Sequence, residues 1–339
     1  MAGEKNFPDG AISLPIEFEG IVAVSLPMHA VIQRAVDAAA TDIPVLITGE
    51  TGTGKDLLAL GIHKRSQRKD FPYIPVNAGA MTPELIASEF FGHEKGAYTG
   101  AAGIHKGVFE QAHKGTIFLD EITTMDEKSQ VSLLRGLETK TFRRVGGEKD
   151  IRVDVRVIAA TNENLEKAVA QGKFRRDLFY RLDVFRINVP ALRDRPGGTT
   201  LLTGYFVSQF NTLYQKDVKR VSPESYRCLR HYSWPGNVRE LKNVIQRAIL
   251  IAPGEELTAD LIPARIREAA GMSKDSDSQM FPIRLGMNLA AVEKECIRMT
   301  LASTGGNKKK AAAILGISRR ALYNKINRYR LSQMKPPPE

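Results

Sequence analysis

Cysteine is nearly missing from this chain. Cys228 and Cys296 are the only two in 339 residues, 68 positions apart, with no Cys or His cluster beside either. That scarcity excludes a disulfide scaffold and a cysteine zinc site, and it fits a reducing compartment. No apolar run approaches the ~18–20 residues that span a bilayer. The first ten residues, MAGEKNFPDG, lack the charged-then-apolar layout of a secretory signal. The expected location is therefore the cytoplasm, with no membrane partner. Internal repeats and long low-complexity tracts are also missing. What is present is enough apolar material, 42 % of residues, to build real cores, which excludes global disorder.

Basic residues exceed acidic ones, 49 against 38, for a net charge of +11. The excess is local. Residues 283–339 hold 12 Lys+Arg and three acids, a net +9, which leaves +2 for the other 282 residues. A basic C-terminal segment points toward nucleic acid. Just upstream, GMSKDSDSQM (271–280) is small, polar and aperiodic, the composition of a linker. A milder boundary lies near Pro190–Pro196, where alternating strands and helices give way to helical patterns. The expected layout is a tail (1–17), an α/β subdomain (18–190), a helical subdomain (191–270), a linker (271–282), an all-α DNA-binding domain (283–332) and a tail (333–339).

Ile43–Thr48 is a short β-branched apolar run, the pattern of a buried strand. Gly49-Glu50-Thr51-Gly52-Thr53-Gly54-Lys55-Asp56 follows at once, and a helical pattern begins at Leu57. Strand, glycine loop and helix form the context that a phosphate-binding loop requires. The glycines let backbone N–H groups turn inward around phosphates, and the helix N-terminus adds partial positive charge. Lys55 is expected on the β- and γ-phosphates of ATP. Asp56 replaces the Ser or Thr that ordinarily touches Mg²⁺ in the generic motif.

Gly115–Asp120 is a second buried-strand pattern, ending in Asp120-Glu121, 65 residues after Lys55. In a P-loop ATPase the first acid holds Mg²⁺ and the second activates the attacking water. Val155–Ala159 reads as a third strand that leads to Thr161 and Asn162. Tyr73–Asn77 reads as a fourth, ending in Asn77. Polar groups at these C-terminal strand ends sit where α/β sheets bind ligands. Arg175 and Arg181 lie six residues apart in Gly172-Lys-Phe-Arg-Arg-Asp-Leu-Phe-Tyr-Arg. They suit either surface ion pairs or arginines offered to a neighbouring subunit's γ-phosphate.

Near the C-terminus, apolar positions Leu289, Val292, Cys296, Met299 and Leu301 approach helical spacing. Lys308-Lys309-Lys310-Ala-Ala-Ala-Ile-Leu315, then Gly316-Ile-Ser318, then Arg319-Arg320-Ala-Leu-Tyr-Asn324-Lys325 read as two short helices joined by a three-residue turn. Gly316 can end the first and Ser318 can cap the second. This is a helix-turn-helix. Ser318, Arg319, Arg320, Asn324 and Lys325 are candidate base or phosphate contacts, and Lys308–Lys310 are candidate backbone-phosphate contacts.

Between the phosphate loop and the acidic strand end lies Phe91-Gly-His-Glu-Lys-Gly96-Ala97-Tyr98-Thr99-Gly100-Ala101. The hexapeptide Gly96–Ala101 resembles the signature loop of the σ54-dependent bacterial enhancer-binding proteins, a branch of the AAA+ ATPases. The resemblance runs from about Phe18 to Arg330 and includes the Gly49–Asp56 loop, Phe118–Glu121, Phe174–Leu182 and Trp234-Pro-Gly-Asn-Val-Arg239-Glu-Leu. It implies an AAA+ P-loop three-layer α/β subdomain, a helical lid and a Fis-type helix-turn-helix. An acid after the P-loop lysine is usual in that branch, so Asp56 joins Asp120 as an Mg²⁺ candidate. The resemblance implies that Gly96–Ala101 contacts σ54, chiefly through Tyr98 and Thr99, with Tyr98 standing where Phe is commoner. It implies that Asn77 restrains Glu121, that Thr161 and Asn162 form one nucleotide sensor and Arg239 a second, and that Arg175 and Arg181 act in trans.

One departure is Pro196-Gly-Gly-Thr-Thr200, where the family tends to have an acidic pair followed by Ile. It suggests a looser or differently shaped join between subdomains. The implied protein binds enhancer DNA as dimers, forms a homo-oligomeric ring up to a hexamer, hydrolyses ATP and remodels σ54-RNA polymerase. No receiver or sensor precedes the ATPase within these 339 residues, so control in trans by a regulatory protein is expected. Three alternatives stay open at this point. They are a DNA-binding regulator that uses nucleotide only to oligomerise, an AAA+ machine with no σ54 contact, and an architectural DNA-bending protein.

Overall fold

The computed structural model describes residues 16–80, 83–98, 101, 103–271, 288–329 and 331. The chain divides into two compact units, 1–270 and 271–339, and each is taken by itself.

The first unit is built on five parallel strands: β1 (Val45–Thr48), β2 (Tyr73–Asn77), β3 (Thr116–Asp120), β4 (Arg156–Thr161) and β5 (Phe185–Asn188). Their order in the sheet is β2-β3-β4-β1-β5. Successive side chains on a strand point to opposite faces, and both faces here are apolar. Val45, Ile47, Phe118, Ile158, Ala160 and Ile187 enter one core, under helices Leu26–Ala39 and Lys55–Lys64. Leu46, Ile117, Leu119, Val157 and Ala159 enter the other, under helices Pro83–Phe91, Glu127–Thr139 and Arg176–Leu182. A parallel sheet needs both faces covered, and the result is a three-layer α/β subdomain, as the resemblance implies. The C-terminal ends of β1 to β4 then place Gly49, Asn77, Asp120 and Thr161 along one edge.

Strand β2 has the expected limits, while β4 runs on to Thr161. Strand β5 is absent from the sequence reading. It is four residues long, and only Phe185 and Ile187 face the core. The hairpin strands Thr141–Phe142 and Ile151–Arg152 were likewise too short to register.

Beyond Val189 the lid consists of helices Gly198–Tyr214, Pro223–His231, Asn237–Ile251 and Ala264–Ala269, plus a two-residue parallel pair, Arg220–Val221 with Glu256–Leu257. At the join the lid helix packs against the segment before the sheet. Gly197, at φ +72°, starts the first lid helix, and a Cβ there would stand 3.4 Å from Val24 Cγ1. Trp234 is buried beneath the turn, with Nε1 donating to the Leu229 carbonyl at 2.8 Å. Pro235 lies before the helix that begins at Asn237, not within its first turn.

The second unit holds helices Leu289–Ser303, Lys308–Ile314 and Arg319–Arg328 around Ile297, Ala311, Ala312, Leu322 and Ile326. Asn307 and Ser318 cap the second and third by accepting from backbone N–H groups. The apolar positions read from the sequence do lie on one helix, but they are not all turned to the core. Leu289 is 82 % exposed and Cys296 is exposed, whereas Ile297 is buried and Leu301 packs against it. A helix with two apolar stripes has no single periodicity to declare which one faces inward.

Candidate nucleotide site, projecting loop and DNA-binding face

The phosphate loop leaves β1 with Gly49 and enters helix Lys55–Lys64 through Gly54 at φ +97°. Lys55, expected two residues before the helix, is its first residue. Its Nζ donates to the Gly49 and Glu50 carbonyls at 2.8 and 3.2 Å. Burial pushes the ammonium's pKa down, and Asp120, Glu121 and Asp56 push it back up. The three acids therefore surround this lysine electrostatically. Thr53 donates its hydroxyl to the Glu50 carbonyl at 2.8 Å.

Asp120 ends β3, and its Oδ1 accepts from the Glu121 backbone N–H at 3.0 Å. Glu121 sits at φ +55°, in left-handed backbone. No described hydrogen bond joins Asn77 to Glu121. The two side chains flank Gly79 instead: a Cβ there would stand 1.9 Å from Glu121 Oε2 and 3.2 Å from Asn77 Oδ1. Gly79 thus leaves the space in which the Glu121 carboxylate lies, a role with no sequence signal. Thr161 is fully buried, and its hydroxyl meets Thr123 Oγ1 at 3.5 Å and accepts from Glu163 N–H at 3.0 Å. Asn162 Nδ2 reaches the loop itself, donating to Thr51 Oγ1 at 3.0 Å.

Three residues that went unnoticed in the sequence complete the loop's surroundings. Arg193 grips Glu50 with two hydrogen bonds of 2.9 and 2.5 Å. Arg195 donates to the Thr53 carbonyl at 2.8 Å and to the Pro190 carbonyl at 2.9 Å. Desolvation lowers its pKa to about 10, so it remains charged at neutral pH. Asn237 donates to Glu50 Oε2 and to the Thr51 carbonyl at 3.1 and 3.0 Å. Arg239 lines a cleft of about 440 Å³ with Thr51, Gly236, Asn243, Arg247 and Arg265. Arg175 pairs with Asp177 at 2.6 Å and lies 3.8 Å from Glu127, and Arg181 donates to the Leu137 carbonyl at 3.2 Å.

Gly96–Ala101 is closed at its base: Gly96 N–H donates to the Ala101 carbonyl at 3.0 Å. Thr99 and Gly100 lie outside the described residues. Tyr98 is 46 % exposed, and its hydroxyl lies 3.5 Å from His93 Nδ1, so the extra oxygen is not buried unpaired. Arg144, on the hairpin loop, staples the base by bonding Glu94 at 2.8 Å and Glu110 at 2.9 and 2.8 Å. Those carboxylates hold the guanidinium's pKa above its ordinary value. Arg144→Ala is expected to loosen this base. Proteolytic nicking between Gly92 and His105 should accelerate about tenfold, equivalent to ~1.4 kcal/mol of local stability. Limited proteolysis with mass mapping reads this directly, and unchanged nicking would mean that the staple adds no stability to the loop's base.

In the second unit Lys325 is not free: its ammonium pairs with Glu293, which also accepts from Tyr329 Oη at 2.6 Å. A DNA phosphate would compete with Glu293 for this ammonium. The exposed side of the third helix carries Arg319, Arg320, Tyr323, Asn324, Asn327 and Arg328. Lys308 Nζ sits 4.7 Å above the Tyr323 ring, whereas Lys309 and Lys310 are exposed. Tyr323 and Asn327 were not among the residues singled out in the sequence, and only the fold shows that they share the exposed side with Asn324.

Residues 21–188 match the family described as Sigma-54 interaction domain, 193–279 the AAA+ ATPase lid domain, and 288–329 Bacterial regulatory protein, Fis family. Regulatory protein AtoC of Escherichia coli (strain K12) is 40 % identical over 322 residues, 94 % of this chain and 69 % of that protein. Nitrogen fixation protein AnfA of Azotobacter vinelandii is 43 % identical over 312 residues, 92 % of this chain and 58 % of that protein. Among solved structures, NtrX from Brucella abortus in complex with ADP superposes with a TM-score of 0.70 at 35 % identity, covering 91 % of this chain and 70 % of that one. The same protein in complex with ATP matches equally well, with 69 % of its chain covered.

Proposed function

Because this chain belongs to the sigma-54 activator family, with an AAA+ ATPase lid and a Fis-type DNA-binding domain, we propose that it is a DNA-bound cytoplasmic activator. It would couple ATP hydrolysis to remodelling of σ54-RNA polymerase. The observation that carries this reading is that one α/β unit holds both a phosphate loop with an acid pair and a closed, partly exposed loop bearing Tyr98.

ATP would lie with its phosphates in the Gly49–Lys55 loop. Lys55 would balance their charge, and Arg239, Arg247 and Arg265 make the adjoining cleft cationic. Glu121 would take a proton from water as the water's oxygen bonds to the γ-phosphorus and the bond to ADP breaks. The products are ADP and phosphate. Asn162, beside Thr51, and Thr161, beside Thr123, would register the γ-phosphate, and Asn77 would confine Glu121 from across Gly79. Arg175 and Arg181 stand near the surface, where a neighbouring protomer's nucleotide could meet them once their local partners release.

The oxygen donors suit Mg²⁺. Among the described residues no group of three or more His, Cys, Asp or Glu could hold a metal alone. Magnesium characteristically takes one or two carboxylates and completes its shell with phosphate oxygens and water. Asp120 would hold it, with Asp56 through water, and when bound it neutralises charge developing between the β- and γ-phosphates.

On DNA, the third helix of the second unit would enter the major groove with Arg319, Arg320 and Asn324. The stripe Leu289, Val292, Cys296, Met299, in which Leu289 and Cys296 are exposed and the other two half-buried, has alternating spacings of three and four, the pattern that pairs helices. It supports a dimer of this unit on enhancer DNA, and the ATPase units would extend that dimer toward a ring.

The test is Thr99→Ala in the whole chain. Activation from a σ54 promoter is expected to fall by about 10-fold or more while ATP turnover stays within about threefold, since the change removes a contact remote from the chemistry. Unchanged activation would remove the σ54 assignment of this loop. It would favour an AAA+ machine with another target.

A further inference from the structure

Every carbonyl from Gly49 to Thr53 accepts a hydrogen bond from within the chain. Lys55 Nζ serves Gly49 and Glu50, and Thr53 Oγ1 serves Glu50 again. The remaining three are held by the lid and the segment that leads into it. Asn237 Nδ2 donates to Thr51 at 3.0 Å, Val238 and Arg239 N–H donate to Gly52 at 3.0 and 3.2 Å, and Arg195 donates to Thr53 at 2.8 Å. With its carbonyls tied down in this way, the loop keeps its N–H groups available to an anion. The lid therefore takes part in shaping the phosphate site.

Asn237 is the hub of this contact. It is fully buried, at φ +50°, a conformation Asn tolerates better than most side chains. Both Nδ2 protons are used, on Glu50 and Thr51, and Oδ1 accepts from Leu192 N–H at 2.8 Å. A flipped amide would set Oδ1 against two acceptors, so its partners fix its orientation. Glu50, although part of the loop, commits its carboxylate to Asn237 and Arg193. The Glu50 and Arg193 side chains are 43 % and 45 % exposed. An exposed ion pair adds little stability, so the consequence of this one is geometric.

We propose that Asn237, Glu50 and Arg193 form a positioning latch through which the lid sets the shape of the phosphate loop, so that ATP affinity depends on this contact. The proposal rests on the ATP reading of the site. Arg193 and Asn237 hold the Glu50 carboxyl down to about 2. The latch is therefore complete above the ordinary value of 4.5, is lost only as pH falls from there toward about 2, and stays charged at neutral pH.

The experiment uses the full chain with Glu50→Gln, Arg193→Gln and the double variant, and measures the Kd for ATP, KM and kcat. Each single change is expected to raise Kd and KM by about 5–20-fold with kcat within about threefold, and the double should be no worse than the worse single. Arg193→Lys, which keeps the charge but not the fork, should recover part of the affinity. Wild-type affinity in the single variants, or penalties that simply add, would overturn the latch. Glu50 is exposed, so its substitution does not endanger folding. A wild-type chain that binds no ATP would instead remove the nucleotide reading itself.

Discussion

Glu121→Gln is expected to lower ATP turnover by roughly 10²–10⁴-fold, the usual worth of a positioned general base, while ATP binding stays close to wild type. The substitution keeps the shape of the side chain and removes its ability to take a proton. Its surroundings favour a clean result. The Glu121 backbone N–H is bonded to Asp120, its left-handed backbone places it just past the end of β3, and Gly79 leaves room for the amide as it does for the carboxylate. Steady-state hydrolysis and equilibrium ATP binding, measured separately, check the two halves. Turnover surviving within about threefold would mean that the base lies elsewhere. Activation that survives the loss of turnover would instead favour a regulator that uses nucleotide only to oligomerise.

Gly52→Ala should do comparable damage by a different route. Gly52 sits at φ +79°, where an L side chain is strained by roughly 1–2 kcal/mol. Its new Cβ would also stand 2.4 Å from the Gly236 carbonyl oxygen and 3.1 Å from Arg239 Cβ. The oxygen belongs to the backbone of the turn beneath the last long lid helix, so no rotamer can clear it. The loop and lid must separate, and the bonds from Val238 and Arg239 to the Gly52 carbonyl are lost. ATP affinity is expected to fall about 10–100-fold, with a lowered melting temperature. Gly54→Ala is the control: its backbone is similarly strained at φ +97°, but nothing lies within 4 Å of the new carbon. Equal losses at both positions would mean that backbone strain alone, not contact with the lid, governs the loop.

Much of the site was legible because its parts are contiguous. The phosphate loop, the Asp120-Glu121 pair and the Asn307 and Ser318 caps each occupy a few adjacent residues. Strands β1 to β4 announced themselves as apolar runs because both faces of the sheet are buried. Strand β5 did not, since Arg186 and Asn188 interrupt its short run. The first helix of the DNA-binding unit was legible as a helix, but its buried face was not, because the stripe from Leu289 through Cys296 looks as apolar as the one through Ile297.

By itself, the amino-acid sequence determined the class of this protein: a P-loop α/β unit, a helical unit and a basic helix-turn-helix, with candidates for the residues proposed to meet ATP, σ54 and DNA. Only the tertiary structure decided how those residues are held. Glu50 meets Arg193 across 143 positions and Asn237 across 187, and Gly79, in the turn after β2, makes room for the Glu121 carboxylate just past β3. Arg144 closes a loop 50 positions away through Glu94, and Glu293 draws Lys325 inward. The physical reason is range. A motif encodes backbone conformations that its own few residues can enforce. A hydrogen bond between distant segments exists only after the sheet and lid have folded and brought their ends together.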